Sequence, residues 1–363
     1  MKVLYKFFLV LCLVSFGMAN SPVDTVIAKK MNWMFYPYVF YTPESNLSFG
    51  VGGMLYFRAD TSRKIQTSKI ILSGNYTLNN QYSFSLVPTI FFPGMERVYL
   101  EADFRYQKLI SKFYGIGSET REVGDPFYSL NKLRTYAEFS SRGMPLSSVN
   151  TGIVFEFVNN DVYDAEANPN MQDSTLTGKN GGNILGLGLL ILLDNRDNAS
   201  FPTKNGYYKV LLTFYNKFLG SHFNYNNFVV DLRNFISFGN EHIFATQFYS
   251  NITTGNPPFF SLPALGGEKR MRGYFEGRFR DRIFMTGQIE YRKIVWWRLG
   301  LVAFFGVGDV ANEWKDFSAR TLKFSYGFGL RFVFDEENRI NLRMDIGFGK
   351  NTSGVYFGLD EAF

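Results

Sequence analysis

The chain has 363 residues, a formal net charge of +6 and one cysteine, Cys12. After residue 19 no stretch is apolar enough for a membrane-spanning helix, and no basic stripe indicates nucleic-acid binding. Aromatic residues make up 18% of the chain, yet the mean hydropathy is only −0.10. Many aromatic residues, low hydropathy and alternating polarity together predict a membrane β-barrel.

Residues 1–19 have the pattern of a secretory signal peptide. Lys2 and Lys6 form the basic start, 7–16 is an apolar run, and small residues close the segment at 17–19. Cys12 lies inside the run, so the exported chain is expected to contain no disulfide. Residues 20–32 are predicted to be a short periplasmic lead, and 33–363 the barrel.

Apolar and small or polar residues alternate along most of the remaining chain. Near the start Phe49 and Val51 alternate with Ser48 and Gly50, and the stretches 322–332 and 340–348 repeat the pattern. A soluble β-sandwich would also alternate, with its apolar face in a core. The many long one-sided strands, of which 185–193 is the most apolar, instead favour a wall that faces lipid.

We predict an all-β fold: a transmembrane 16-stranded antiparallel β-barrel with an external loop folded into the lumen. The strands are predicted near 33–41, 47–58, 67–78, 81–90, 96–106, 131–141, 149–158, 184–193, 206–216, 223–236, 241–250, 282–292, 298–308, 321–333, 339–348 and 354–362. An even number of strands puts both termini on the periplasmic side. Long connections then follow odd strands and short ones follow even strands, except the longer turn 194–205.

The connection 251–281 contains Gly266-Gly267-Glu268-Lys269-Arg270-Met271-Arg272-Gly273-Tyr274 and is too charged and Gly-rich for a strand. Such a loop normally lies in solvent. In a barrel it can also fold into the lumen and pair an arginine with a wall carboxylate. Glu290 has the polar parity of its strand, since Gln288 and Arg292 share it, and is therefore predicted to point inward.

Three segments resemble the BamA/TamA-type outer-membrane assembly-factor superfamily, also called the bacterial surface antigen family. They are the opening hairpin from Tyr36-Pro37-Tyr38 to Gly53, the turn Asp194-Asn195-Arg196-Asp197-Asn198, and Met271-Arg272-Gly273-Tyr274, which is similar to the (V/I)RG(F/Y) tip of the sixth external loop. The resemblance covers essentially the whole mature chain. It implies that the tip enters the lumen and that Arg272 pairs with an acidic wall residue, for which Glu290 is the candidate.

Two departures from the family pattern stand out. Members carry periplasmic POTRA domains before the barrel, whereas 20–32 is too short for one, so the barrel domain alone is expected. The family's F-x-D-x-G motif corresponds to Phe304-Phe305-Gly306-Val307-Gly308, where Gly306 replaces the aspartate.

The last predicted strand resembles the C-terminal signal by which outer-membrane barrels are recognised for insertion. Phe357, Leu359 and Phe363 share one parity, which is predicted to face lipid. Glu361 interrupts this apolar series and is expected to be a charge at the membrane interface.

The first and last strands are predicted to form a weakly paired seam. Tyr36 and Tyr38 share one parity of the first strand, and Pro37 between them lacks a backbone donor. Gly354 and Gly358 weaken the packing of the last strand.

No catalytic, metal or cofactor site is predicted, and we expect no enzyme. His222 and His242 lie near strand ends with no carboxylate at triad or ligand spacing. Neither a GxSxG elbow nor a phosphate-binding loop is present. The strand glycines Gly186, Gly188, Gly327 and Gly329 are expected to leave room for the inward loop.

The resemblance implies a protein of the bacterial outer membrane that assists outer-membrane protein insertion or secretion, with a partner supplying the periplasmic part. The alternatives are a structural subunit of an outer-membrane complex and a plugged passive pore. The expected partners are outer-membrane lipid and either outer-membrane protein clients or subunits of an assembly complex.

Overall fold

The computed structural model describes residues 32–43, 45–57, 68–92, 95, 98–122, 124–142, 149–239, 241–335 and 339–363. The predicted signal peptide 1–19 and the predicted lead up to residue 31 lie outside the described residues. Within the described ranges no helix is long and apolar enough to cross a membrane.

Sixteen antiparallel strands close into a barrel in which the first strand pairs with the last, as predicted. The barrel strands are β1 (Asn32–Thr42), β2 (Asn46–Phe57), β3 (Ser68–Thr77), β4 (Tyr82–Phe91), β5 (Val98–Lys112), β6 (Phe127–Arg142), β7 (Val149–Tyr163), β8 (Gly181–Asp194), β9 (Asn205–Tyr215), β10 (Tyr225–Phe238), β11 (His242–Gly255), β14 (Ile283–Trp296), β15 (Leu299–Ala311), β16 (Lys323–Asp335), β17 (Ile340–Gly349) and β18 (Thr352–Leu359). A small hairpin, β12 (Ala264–Leu265) and β13 (Phe279–Arg280), lies in the connection between β11 and β14.

The wall alternates as the sequence predicts. On β16 Phe324, Tyr326 and Phe328 are exposed on the outer face, whereas Ser325 and Arg331 are buried toward the lumen. Because every second residue of a strand points to the same face, an apolar outer surface and a polar inner surface follow from the sequence pattern.

Several strands extend beyond their predicted ends. Strand β7 continues to Tyr163 and β11 to Gly255, and their last residues include Asn159, Asn160 and Thr253. These extensions carry polar residues on both faces, so the apolar alternation stops before the hydrogen-bonded ladder does. The inward loop accordingly occupies 256–282 rather than 251–281.

At the end of the barrel that carries the long connections, three of them pack together over the lumen. We call this the loop end. Phe113, Met171 and Phe259 come from the three connections and form one apolar cluster. The Asn168 amide donates to the carbonyl oxygens of Phe113, at 3.1 Å, and Pro126, at 2.7 Å.

The opposite end, which we call the turn end, is also covered. The Glu361 backbone N–H donates to the Ser200 carbonyl at 3.3 Å, which joins the turn between β8 and β9 to the segment 360–363. Phe363 packs against Phe235 and Ala245 of the lumen wall. The lumen therefore has protein across both ends.

Candidate functional site: the loop lock and the seam

The tip of the inward loop lies against the inner face of β16, β17 and β18. Gly273 has a φ of 107°, and a Cβ there would lie 2.6 Å from the backbone carbon of Phe348. A Cβ on Gly347 would likewise lie 2.7 Å from the carbonyl carbon of Arg272. Glycine on both sides of the contact lets two backbones meet. The tip is thereby held at van der Waals distance from the wall.

Arg272 is fully buried and joins two strands of the wall. Its Nη2 donates to Glu290 Oε2 on β14 and its Nη1 to Asp345 Oδ2 on β17, each at 2.5 Å. The guanidinium carbon lies 3.6 Å from the centre of the Phe304 ring, and Ser325 Oγ donates to the Arg272 carbonyl at 2.6 Å. The predicted pairing of Arg272 with Glu290 is present in the structure, and Asp345 is a second partner.

Further charges surround this pair. Arg292 Nε donates to Glu290 Oε1 at 2.7 Å, and Arg331 Nη1 donates to Asp345 Oδ1 at 2.6 Å. Each carboxylate thus accepts from the loop arginine on one oxygen and from a wall arginine on the other. Burying a charge is costly unless it is paired and hydrogen-bonded, and this arrangement meets both conditions.

The network extends from this centre to a second loop carboxylate and to the C-terminal segment. Arg343 Nη2 donates to Glu268 Oε2 of the loop at 3.0 Å. Arg331 Nε donates to Glu361 Oε2 at 2.7 Å, and Asn341 Nδ2 donates to Glu361 Oε1 at 2.8 Å. We call these residues the lock network: Glu268, Arg272, Glu290, Arg292, Arg331, Arg343, Asp345 and Glu361. It contains four arginines and four carboxylates, so its formal charge is balanced.

The residues beside Arg272 tie the tip to the last strand. Tyr356 Oη of β18 accepts from the Gly273 N–H at 2.9 Å. Thr352 Oγ1 of β18 donates to the Gly273 carbonyl at 3.0 Å, and Tyr274 Oη accepts from the Lys350 N–H at 2.9 Å. The loop tip is therefore fastened to the strand that closes the barrel.

Met271 occupies the place next to Gly306, where the family motif has an aspartate. A Cβ on Gly306 would lie 3.3 Å from Met271 Sδ, and the Met271 N–H donates to Gln288 Oε1 at 3.0 Å. The buried Met271 side chain fits here because Gly306 has none.

The predicted seam is a poorly paired contact. Among the described residues β1 and β18 are in register at one position, Tyr41 with Phe357. Every other neighbouring pair of barrel strands is in register at eight positions or more. An edge with few ladder bonds leaves backbone donors and acceptors unpaired.

The individual seam residues lie at this contact or next to it. The rings of Tyr36 and Tyr38 lie over Gly52 and Gly50 of β2, so closely that a Cβ on either glycine would clash with the facing ring. Pro37 is in register with Val51 of β2. On the other strand Gly354 is opposite Gly347 and Gly358 is opposite Arg343. The loop tip and the seam thus share β18 and its neighbour β17.

The structure corrects the expectation for the end of the last strand. Phe357 and Leu359 lie on the outer parity, with Leu359 43% exposed, but Phe363 is buried in the lumen. Glu361 is inside as well, bound to Arg331, and is not an interfacial charge. Asp360 has a φ of 62°, and this left-handed residue ends the alternation after β18. The role of Phe357, Leu359 and Phe363 as an insertion signal stays a prediction.

The expected role of the four strand glycines is also wrong. A Cβ on Gly186 would meet the Tyr215 ring at 2.5 Å, and one on Gly327 would meet the Phe304 ring at 2.5 Å. Gly188 faces Thr213, and Gly329 faces Asp345 and Arg331. These glycines make room for wall side chains, whereas Gly347 and Gly349 make room for the loop.

The two histidines have ordinary structural contacts. His222 Nδ1 accepts from the Asn183 N–H at 3.4 Å, and His242 Nδ1 lies 2.6 Å from Tyr291 Oη. Across the described residues no group of His, Cys, Asp and Glu side chains is placed to hold a metal ion.

Comparison with known proteins identifies the family. The model of the Omp85 superfamily domain matches residues 57–363. The chain belongs to the Omp85 superfamily. The protein is therefore a β-barrel of the bacterial outer membrane. Members of its superfamily act in protein insertion and translocation.

Solved structures show the same fold at low sequence identity. BamA from Haemophilus ducreyi lacking POTRA domains 1–3 superposes with a TM-score of 0.63 and 12% identity, covering 92% of this chain and 70% of that chain. CdiB from Acinetobacter baumannii gives 0.58 and 11%, covering 92% and 60%. CdiB from Escherichia coli gives 0.58 and 8%, covering 92% and 64%. No curated protein matches the sequence significantly.

Proposed function

We propose that this Omp85 barrel assists the insertion or secretion of outer-membrane proteins by opening the seam between β1 and β18, with a partner supplying the periplasmic part. The observation that carries the proposal is that the described parts of β1 and β18 are in register at one position, Tyr41 with Phe357. Backbone groups left unpaired in a lipid environment are costly, so a client strand that pairs with them is stabilised.

The lock network supports this proposal because it holds one side of the seam. Strand β18 is bonded from inside through Tyr356 and Thr352, whereas the described backbone of β1 is laddered along its length to β2 and at one position to β18. Parting β1 from β18 therefore breaks few ladder bonds and leaves the loop tip in place. Aromatic side chains of Tyr36 and Tyr38 line the lumen side of β1 and offer an apolar contact for an entering strand.

The alternative of a passive pore has less support. Arg272 and Tyr274 lie buried in the lumen, and Phe363 is buried inside the lumen near the turn end, so these side chains occupy the space that a pore would need. A structural subunit of an outer-membrane complex remains the second candidate, because the exposed outer wall can bind other chains without any opening.

Depletion of the protein in its native bacterium, followed by quantitative mass spectrometry of the outer membrane and the medium, tests the proposal. An insertion or secretion role predicts that a set of other outer-membrane barrels or secreted proteins is lost first. Loss of the members of one complex, with all other barrels at normal levels, would instead establish the structural role.

A further inference from the structure

A groove of about 370 Å³ lies on the outer wall between β14 and β17. Two rows of side chains line the groove. Each row contains one residue from each of the four strands, paired in register, and the two rows are two residues apart along the strands. One row is Tyr291, Ala303, Phe328 and Ile346, and the other is Lys293, Leu301, Leu330 and Met344. Ala303 is the smallest member and lies between Tyr291 and Phe328, so the wall is indented there.

One end of this groove is polar. Lys293 belongs to the second row and is half-buried, and among the described residues no carboxylate forms an ion pair with it. Next to it the Tyr291 hydroxyl lies 2.6 Å from His242 Nδ1, and the two rings stack at 6.0 Å. This contact fixes the Tyr291 ring as a wall of the groove and leaves Lys293 as the cation beside it.

Lys293 lies close to the membrane interface. Trp296 and Trp297, which are 69% and 66% exposed, follow at the turn end of β14. Exposed tryptophans mark the level of the lipid headgroups on membrane barrels. Lys293 and Trp296 are three strand residues apart, which corresponds to about 10 Å. The long lysine side chain covers part of this distance by extending toward the interface. Its ammonium therefore reaches the level of a lipid phosphate.

We infer that the groove binds one phospholipid with an anionic headgroup in the leaflet at the turn end. The acyl chain lies along the apolar rows over Ala303, and the phosphate pairs with Lys293. An apolar channel that ends in one interfacial cation is complementary to such a lipid. The apolar surface matches the acyl chain, and the positive charge matches the phosphate. Burial of methylene groups and one charge-assisted contact supply the binding energy.

A protein strand fits this surface less well. Strands β14 to β17 are laddered to one another throughout the groove, from Tyr291 with Ala303 to Phe328 with Ile346, so no backbone edge is exposed for strand addition. The site does not depend on the opening of the seam, which lies on β1 and β18.

The test is native mass spectrometry of the full, delipidated chain titrated with phosphatidylglycerol, with phosphatidylcholine and inorganic phosphate as separate probes. The parent protein is expected to bind one phosphatidylglycerol. Ala303→Phe fills the groove and should weaken binding about tenfold, which corresponds to about 1.4 kcal/mol. Lys293→Gln should weaken binding of phosphatidylglycerol more than that of phosphatidylcholine.

Two matched variants control for added bulk and lost charge. Leu189→Phe enlarges an outward side chain on β8, and Lys108→Gln removes an outward lysine on β5, both away from the groove. Both should bind phosphatidylglycerol like the parent, and a heat-induced gel shift confirms that every variant is folded. Equal binding by Ala303→Phe and Leu189→Phe would overturn the inference. Competition by inorganic phosphate alone, or a protein dimer that Ala303→Phe abolishes, would also overturn it.

Discussion

Arg272 at the tip of the inward loop and Asp345 on β17 are joined by a 2.5 Å hydrogen bond although 73 residues separate them in the chain. With Glu290 on β14 this bond makes Arg272 a bridge across β15 and β16. Because both carboxylates are also bound by wall arginines, the tip completes a charge network on the inner face of β14 to β17. The loop tip is thus bound to the wall of this barrel through buried ion pairs on two strands.

Replacing Arg272 by Ala should strongly destabilise the barrel. Removing one partner of a buried ion pair costs about 3 to 5 kcal/mol, and here Arg292 and Arg331 still serve the two carboxylates, so we expect the lower part of that range. The measurement is the temperature of the heat-induced gel shift in detergent. Arg339→Ala is the control, since its partner Asp197 is at the surface and such pairs contribute about 0 to 1 kcal/mol. Equal unfolding temperatures for the two variants would contradict the lock.

Gly347→Ala should displace the loop tip. The new Cβ would lie 2.7 Å from the Arg272 carbonyl carbon, so either the tip or β17 has to move. We expect faster protease cleavage within 256–282 in the folded barrel. Gly287→Ala is the matched control, because nothing lies within 4 Å of its Cβ position. If both variants were cleaved at the parent rate, the tip would not be packed against Gly347.

The intact protein should conduct ions poorly. Arg272, Tyr274 and the segment that ends in Phe363 occupy the lumen, so planar bilayers should show small, unsteady currents. Deleting 266–280 removes the tip and should enlarge the conductance. Large, steady openings of the intact protein would favour the passive-pore alternative.

Acidification should release the turn between β8 and β9. The pKa of Asp197 is lowered: burial raises it, but hydrogen bonds from Thr203, Lys204 and Arg339 outweigh burial. A carboxyl whose folded pKa lies below its ordinary value of 3.8 stabilises the fold above that value. That stability is lost as the pH falls through the folded pKa. Amide hydrogen exchange reports it directly, since the Thr203 and Lys204 N–H groups donate to Asp197 Oδ1 at 2.7 and 3.0 Å.

Both amides should therefore lose protection only below about pH 3.8. In Asp197→Asn they should be weakly protected at every pH. Protection in the parent that stays constant from neutral pH down to pH 2 would contradict this role of Asp197.

Sequence alternation predicted the wall and the direction of Glu290 because both depend on a two-residue period alone. Asp345 has the same inward parity, but its distance from Arg272 depends on how the other fifteen strands close the barrel, which the two-residue period does not specify. Glu361 was misplaced because one residue, Asp360, adopts a left-handed conformation that ends the period. The loop-end extensions of β7 and β11 were not predicted because they carry polar residues on both faces and so interrupt the apolar alternation.

The measurement that tests the central claim most directly is cellular complementation by a barrel whose seam is closed with a disulfide. Tyr41→Cys with Phe357→Cys joins the registered pair, and the one native cysteine, Cys12, lies in the predicted signal peptide 1–19. Leu189→Cys with Leu212→Cys joins β8 to β9, which are fully laddered, and is the control. The account predicts that the oxidised seam variant folds but loses function until it is reduced, while the control functions in both states. Full function of a quantitatively cross-linked seam would contradict it.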